Sequence, residues 1–299
     1  NHQISLTAFG SPQTHNQRKP LYAGLSIEEW DKVAKWTGEK NKYRYNAVYG
    51  FDNNGKERSS MTNTYHKPQI SLNHQWQIDH KSSLSTALYM SIGRGSGYSG
   101  QGRTSAYRSM WNGSSNGKLL YNFRKEDGTF DYGAIQDMNA ASETGSNMVM
   151  SKSNNNHMWY GLLSTYTNEI LPGLELSAGV DVRYYVGQHT NEIIDLYDGA
   201  YFIDDADRRN VKPENNIAAL DPNWKYEKLT VGDVVYRDYD GHVHQEGVFA
   251  QLEYSIDKVN TFISGSFSNT GYWRVDRFYY DEAHQRSETI NFLGFTAKA

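Results

Sequence analysis

The sequence predicts an all-β protein, with about eight antiparallel strands forming part of a transmembrane β-barrel wall, long outer loops and short periplasmic turns. Three observations carry that expectation. First, residues 174–184 alternate strictly, with Leu174, Leu176, Ala178, Val180, Val182 and Tyr184 on one parity and Glu175, Ser177, Gly179, Asp181 and Arg183 on the other. Successive strand side chains point to opposite faces, so the segment carries one apolar ribbon and one polar ribbon. Its length suits a tilted strand crossing a bilayer. Second, tight connections alternate with very long ones along the chain. Third, aromatic residues reach 14%, with 23 Tyr and 7 Trp, while mean hydropathy is only -0.77. No apolar run approaches the ~18 residues of a membrane helix, but a barrel strand needs only every second residue apolar.

Taken in order, His2 to Phe9 alternates and stops at Gly10-Ser11-Pro12. A polar insert follows to about Thr64. Within it Ser26 and Glu29 have capping-box spacing, and Ile27, Trp30, Val33 and Ala34 recur with helical period, predicting a short helix over Ile27 to Trp36. A strand is expected from Tyr65 to Ile78, a turn at Asp79-His80-Lys81, and a partner strand through Leu84, Leu88 and Ile92. Residues 93–156, dense in Gly, Ser and Asn, read as a second insert. His157 to Gly187 then forms a hairpin closed by Pro172-Gly173. A third insert runs to Gln245, with an acidic stretch from Asp195 to Asp207 and a local hairpin expected at Asp240-Gly241. Glu246 to Ile256 alternates, Asp257-Lys258 turns, Thr261 to Arg274 returns, and Ser287 to Ala299 reads as the last strand.

A single hairpin of this kind also fits a soluble sheet with its apolar face on a core. The connections favour the barrel, because loops of that length are unusual in compact domains and here fall systematically at one end. A soluble, secreted carbohydrate-binding module is the alternative that also explains the Tyr, Trp and Asn content, and a surface barrel used for adhesion is a third. Cysteine is absent, which excludes disulfide frameworks and thiolate metal sites. Net charge is -4 with pI near 6.2, which argues against a nucleic-acid partner. Without a signal peptide, and with Asn1 opening on strand-like sequence, both termini read as cuts through a larger protein.

Several stretches resemble a known family. His2-Gln3-Ile4-Ser5-Leu6-Thr7-Ala8-Phe9-Gly10-Ser11-Pro12-Gln13-Thr14-His15-Asn16-Gln17-Arg18 resembles a strand and loop opening of Bacteroidetes-type TonB-dependent outer-membrane receptors. Tyr43-Arg44-Tyr45-Asn46, Gly50 and Asn54-Gly55-Lys56 are similar to the next part of that loop. Asp195 to Asp204 and Asn291 to Ala299 are similar in kind. The resemblance implies a barrel of roughly 22 strands with an N-terminal plug. On it, residues 1–299 are a middle slice of the barrel domain with no plug, about a third of the strands. It further implies import of a scarce nutrient, an iron chelate, vitamin or glycan, across the outer membrane of a Gram-negative bacterium. The implied partners are outer-membrane lipid, the protein's own plug and TonB acting through the missing N-terminal part, and a surface lipoprotein.

Candidate sites are few. Gly95-Ser96-Gly97-Tyr98-Ser99-Gly100 spells a dinucleotide fingerprint, yet no following helix or acidic residue is legible, so a Gly-Ser-rich loop is expected. His242 and His244 share a strand face without a third ligand, so no metal site is expected. Asp195, Asp198, Asp204, Asp205 and Asp207 lack EF-hand order and read as a solvated loop. No nucleophile elbow is present, so neither enzyme nor cofactor is expected. Glu175, Asp181, Arg183, Gln251 and Glu253 are expected to face the lumen, pairing opposite charges or holding the plug. Trp30, Trp36, Tyr107, Trp111 and Trp224, aromatic residues of the outer loops, are the expected ligand contacts, although most such residues pack loops together.

Overall fold

The computed structural model describes residues 1–18, 24–211 and 214–299. Its main element is an open antiparallel sheet in which eight strands follow one path in chain order. They are β1 (His2–Phe9), β2 (Gln69–Gln77), β3 (Ser82–Gly102), β4 (Met148–Leu171), β5 (Leu174–Asp195), β6 (Val234–Ile256), β7 (Val259–Asp276) and β8 (Ile290–Lys298). Each pairs with the next; β1 and β8 are the edges. The short strands Gln13–Asn16 and Thr62–His66 extend the sheet beside the upper part of β3.

The three tight turns fall where the sequence puts them. At β2–β3 the Asp79 carboxylate accepts the backbone N–H groups of Lys81 and Ser82, both at 2.8 Å, which closes the turn without any apolar contact. Gly173 (φ 80°) supplies the left-handed residue between β4 and β5, and Asp257 (φ 49°) supplies it between β6 and β7. All long connections leave from the other end of the sheet.

The wall strands run far beyond the sequence expectation. Residues 93–102, 148–156, 188–195 and 234–245 read as loop, yet they complete strands of 21 to 24 residues. Residues 93–102 are rich in Gly and Ser and residues 148–156 in Ser and Asn, and none of the four segments sustains an apolar parity, so the periodicity signal fades while backbone pairing continues. Gly95 to Gly100 therefore lies inside β3, not in a phosphate-cradling loop. Asp240-Gly241 likewise makes no turn: Gly241 is paired with Gly187 on one side and Arg274 on the other. The expected strand from Tyr65 to Ile78 is broken into Thr62–His66 and Gln69–Gln77 at Lys67-Pro68, where proline removes a donor. Helix α1 (Ile27–Thr37) matches the capping reading, since the Ser26 hydroxyl accepts the Glu29 N–H.

The packed core lies in the long connections, with contributions from the upper ends of β4, β5 and β6. One cluster joins Trp111, Phe123, Phe130, Tyr132, Ile135, Met148, Met150 and Tyr197. A second, on the opposite face of β4 and β5, joins Val149, Ile193, Phe202, Leu229 and Val235. A third joins Val33, Tyr45, Ala47 and Leu119 beneath α1. Half-buried Arg124 ties the first two inserts together by donating to the carbonyl oxygens of Ala47, Gly113, Leu120 and Gly128 and to the Tyr45 hydroxyl. The lower wall, by contrast, carries most of its large apolar side chains exposed on one face, with Phe9, Leu163, Phe262 and Phe292 on the other.

That separation makes a prediction. Phe130 is 1% exposed, and Phe130→Ala should cost the loop unit about 3–5 kcal/mol. Hydrogen exchange should accelerate across residues 105–147 while amides of the lower β3–β4 ladder keep their protection. Equal loss in both regions would show that loops and wall unfold as one unit.

Candidate ligand-facing surface

The register sorts every wall residue onto one of two faces. Leu6, Leu72, Leu88, Leu162 and Val182 form one continuous cross-strand row. Val180, Val248, Phe267 and Phe295 form another. The polar exceptions on this face satisfy one another: the Thr86 and Ser164 hydroxyls lie 2.9 Å apart, and Asn269 donates to Glu246 at 3.4 Å. Phe295 is 85% exposed, and no described element covers the rows.

Aromatic residues bound this apolar face at both ends. Toward the loops, Tyr160 lies 5.6 Å from Tyr184, whose hydroxyl is 2.7 Å from His242 Nδ1. His242 stacks on Trp273 with ring centroids 4.9 Å apart and planes within 3°. The paired histidines of the sequence therefore lie on an aromatic belt within β6 rather than at a hairpin turn. Toward the turns, His2 stacks on Trp76 at 5.2 Å, with Tyr166 and Tyr254 on the same face. The rungs Leu174–Tyr254 and Val186–His242 lie about 40 Å apart along the strand at ~3.4 Å per residue. With a tilt of about 40°, the belts stand roughly 30 Å apart along the sheet normal to the tilt, close to the height of an apolar bilayer band.

The opposite face is polar, and all five residues expected to share it do. Glu175 pairs in register with Glu253, Ser177 with Gln251, Asp181 with Gly247 and Arg183 with Gln245. The expected pairing of opposite charges is not what the structure has. Glu169, Glu175 and Glu253 occupy one rung, so three like charges stand side by side at the turn end. The two Asn and Gln amides nearby serve Glu253 instead, Asn260 at 3.0 Å and Gln251 at 3.4 Å. Asp181 and Arg183 follow each other on the same face without an ion pair, because Arg183 turns to aromatic neighbours. Its guanidinium sits 5.9 Å from the rings of both Tyr89 and Trp159, and its Nε donates to the Tyr89 hydroxyl at 3.3 Å.

Above Arg183 the polar face continues as a column of cationic and aromatic groups that the sequence reading did not single out. His157 stacks on Tyr185 at 6.1 Å, His189 on Tyr239 at 4.8 Å, and Arg274 lies 3.8 Å over Tyr239 while pairing with Asp276 at 2.7 Å. Arg237 donates to Asn155 at 3.3 Å. The available signal was Tyr89, an aromatic on the polar parity of its strand. The rest needs the register, because these residues come from four strands. Planar side chains alternating with guanidinium groups can stack on flat solutes and hydrogen-bond anionic ones.

The loop aromatics are mostly structural. Trp111 is 4% exposed at the centre of the first core cluster, and its Nε1 donates to the Gln101 carbonyl at 2.9 Å, so it is closed to any ligand. Trp36 packs against Tyr45 and the chain at Gly128, Trp30 against Tyr43, and Tyr107 against the same cluster as Trp111. Trp224 lies between Phe278 and the Arg208 guanidinium, 4.6 Å from the latter.

The acidic stretch is likewise used internally. Asp195 pairs with Arg58 at 3.2 Å, Asp205 with Arg103 at 2.9 Å and Arg209 at 2.7 Å, and Asp207 with Arg108. Asp198 accepts from Gln136 at 2.9 Å. These pairs bring insert three onto inserts one and two. Asp204 is different: buried, it accepts only the backbone N–H groups of Tyr236 and Asp207, and burial followed by the Asp207 charge pushes its carboxyl up to about 6.

Two solved structures are similar in shape. The ferric-catecholate import receptor Fiu from E. coli K12 aligns in its closed form with TM-score 0.44 and 8% identity, over 99% of this chain and 38% of that one. Its open form gives 0.42 and 8%, over 99% and 41%. This chain thus spans less than half the length of either. No family model matches the chain. No curated protein matches it in sequence.

Asp204 makes the loop unit pH-sensitive. Its folded value lies above the ordinary 3.8, so the native state holds a proton that the unfolded chain releases between those values. The Asp204 contribution to loop stability should be fully present below about pH 4, fall as pH rises through about 6, and level off above. Asp204→Asn should flatten that slope in a chemical-denaturation series from pH 4 to 7. An unchanged slope would place the titration elsewhere.

Proposed function

We propose that this chain is wall and outer loops of a TonB-dependent transporter barrel in the outer membrane of a Gram-negative bacterium. The observation that carries the reading is the exposed apolar face, belted by aromatic residues at both ends, in a sheet whose packed core lies elsewhere. A soluble sandwich would have to bury those rows under a second layer, and no described element provides one. In a bilayer the same rows meet acyl chains, and the backbone groups of the inner strands β2 to β6 between the belts are already paired in the ladder. The motif resemblance of His2 to Arg18 supports the finer assignment to the receptor family.

On this reading, further strands continue the wall beyond β1 and β8, a plug occupies the lumen and TonB drives transport. The polar face lines the passage. Its Arg183, Tyr89 and Trp159 group is the proposed contact for the imported small molecule, an iron chelate, vitamin or glycan. Asp181 and the Glu175 and Glu253 pair face the plug, and the folded loops form the outer vestibule, where a lipoprotein would dock. The chain does no chemistry of its own.

Val180 and Asp181 test the assignment, being neighbours on opposite faces of β5. Arginine on a lipid face near the midplane costs roughly 2 to 4 kcal/mol, whereas arginine on the lumen side keeps its water. Val180→Arg should therefore reduce the heat-modifiable, membrane-inserted fraction of the full receptor several times more than Asp181→Arg. A larger loss for Asp181→Arg would invert the two faces, and equal losses would remove the membrane reading.

A further inference from the structure

The glycines of upper β3 serve its two faces differently. On the apolar face, a Cβ added to Gly100 would stand 2.1 Å from Trp111 Cγ, and one added to Gly102 would stand 2.2 Å from the Arg108 backbone nitrogen. Those two glycines make room for insert two. On the polar face a Cβ at Gly97 would meet only the Thr62 carbonyl oxygen, at 3.4 Å. At Gly95 it would meet the Asn155 carbonyl oxygen at 3.2 Å and Tyr65 Cβ at 3.8 Å. No described side chain packs over Gly97 as Trp111 packs over Gly100. A strand glycine that its own chain does not fill marks a place where a ligand can approach the backbone.

Gly95 and Gly97 floor a recess of about 550 Å³. It lies on the same face as Tyr89, about 20 Å nearer the loops at ~3.4 Å per residue. Asn63 and Ser153 flank Gly97 in register, and Tyr65 and Asn155 flank Gly95. Tyr65 is a fixed wall, since its hydroxyl donates to Gln13 Oε1 at 2.6 Å and its ring meets His15 edge-on at 6.3 Å. Ser153 and Asn155 are held from behind by the Arg237 guanidinium, and Asn155 Oδ1 also lies 2.8 Å from His189 Nδ1. Among the described residues no carboxylate lines the recess. Lys67 is its one cationic side chain, exposed and in no ion pair with them.

We propose that this recess binds an acidic saccharide, with a pyranose ring over Gly95 and Gly97, its hydroxyl groups on Asn63, Ser153 and Asn155, and its carboxylate at Lys67. The proposal rests on the transport reading above and narrows the imported solute to one class. Amide and hydroxyl side chains both donate and accept, as neighbouring sugar hydroxyls require. The fixed Tyr65 ring offers an apolar wall to the C–H groups of the sugar. Lys67 supplies a charge-assisted contact that a neutral sugar cannot use. The volume suits one or two sugar rings.

The test is isothermal titration calorimetry on the full receptor in mild detergent, with a galacturonic acid disaccharide and its neutral methyl ester as the two probes. Wild type should bind the acid roughly tenfold more tightly than the ester. Gly97→Val puts a side chain into the recess while suiting a strand, so it should weaken the acid roughly tenfold or more. Lys67→Ala should bring the acid down to the affinity of the ester and leave the ester unchanged. Gly241→Val, also open on the polar face but outside the recess, should bind as wild type. Heat-modifiable mobility of each variant confirms that the barrel has folded. Absence of binding by either probe, equal wild-type affinity for acid and ester, or unchanged binding in Gly97→Val would each overturn the proposal. So would equal losses in Gly97→Val and Gly241→Val. Recovery of wild type in the soluble fraction without detergent would instead overturn the membrane reading itself.

Discussion

Continuous backbone pairing is the constraint on which the rest of this structure depends. From Asn168 to Lys152 in β4, nearly every residue has a partner on β5, and most have one on β3 as well. A ladder of that length satisfies its donors and acceptors without help from side chains, so the wall needs no core of its own. What it does need is parity. A slip of one residue would exchange Val180 for Asp181 and Val182 for Arg183 between faces, and the tight turns at Asp79, Gly173 and Asp257 hold the register at one end.

The other end of the sheet faces the opposite problem. Long inserts have no ladder to satisfy them, and they solve it by burying their own apolar residues. Phe130, Tyr132 and Trp111 pack against one face of upper β4, and Phe202, Leu229 and Val235 against the other. Polar ties then fix the inserts to each other. Arg124 is held almost wholly by backbone carbonyl oxygens, so it crosslinks inserts without a carboxylate partner, and burial lowers its proton affinity. The Asp195 to Asp207 acids meet Arg58, Arg103 and Arg108 from the earlier inserts. Asp195, Asp205 and Asp207 are thereby neutralised in place, whereas Asp198 takes the Gln136 amide and Asp204 takes backbone N–H groups.

Legibility in the sequence followed the strength of the alternation. Leu174 to Tyr184 gave a face and a length because hydrophobic contrast there is steep at every step. Gly93 to Gly102 gave neither, since Gly and Ser carry no contrast, and only pairing with Met148 to Asn154 on one side and Asn63 to His66 on the other makes it strand. Asp240-Gly241 misled for a related reason: turn propensity is local, whereas Gly187 and Arg274 pin that rung from both sides. Trp111 shows the limit for sites. An aromatic in a polar insert reads as exposed, and nothing in its neighbours announces that Phe130 and Tyr197, 19 and 86 positions on, close over it. Arg183 was legible as a polar-face residue, but its rings were not, because Tyr89 and Trp159 reach it only through two strand registers.

The polar face is also electrically graded, and the grading constrains any transport along it. Glu169, Glu175 and Glu253 share a rung near the turns, while Arg183, Arg274 and Arg237 stand progressively nearer the loops. In open water each such charge would be screened within about 8 Å, and the glutamate rung would cost little. Between low-dielectric walls the field lines are confined and screening is weaker. An anion entering from the loops would then be held at the arginines and opposed at the glutamates, whereas a cation would meet the reverse. Either sign meets an unfavourable zone at one end of the face. A fixed charge pattern can concentrate a solute at one level, but it does no net work on it.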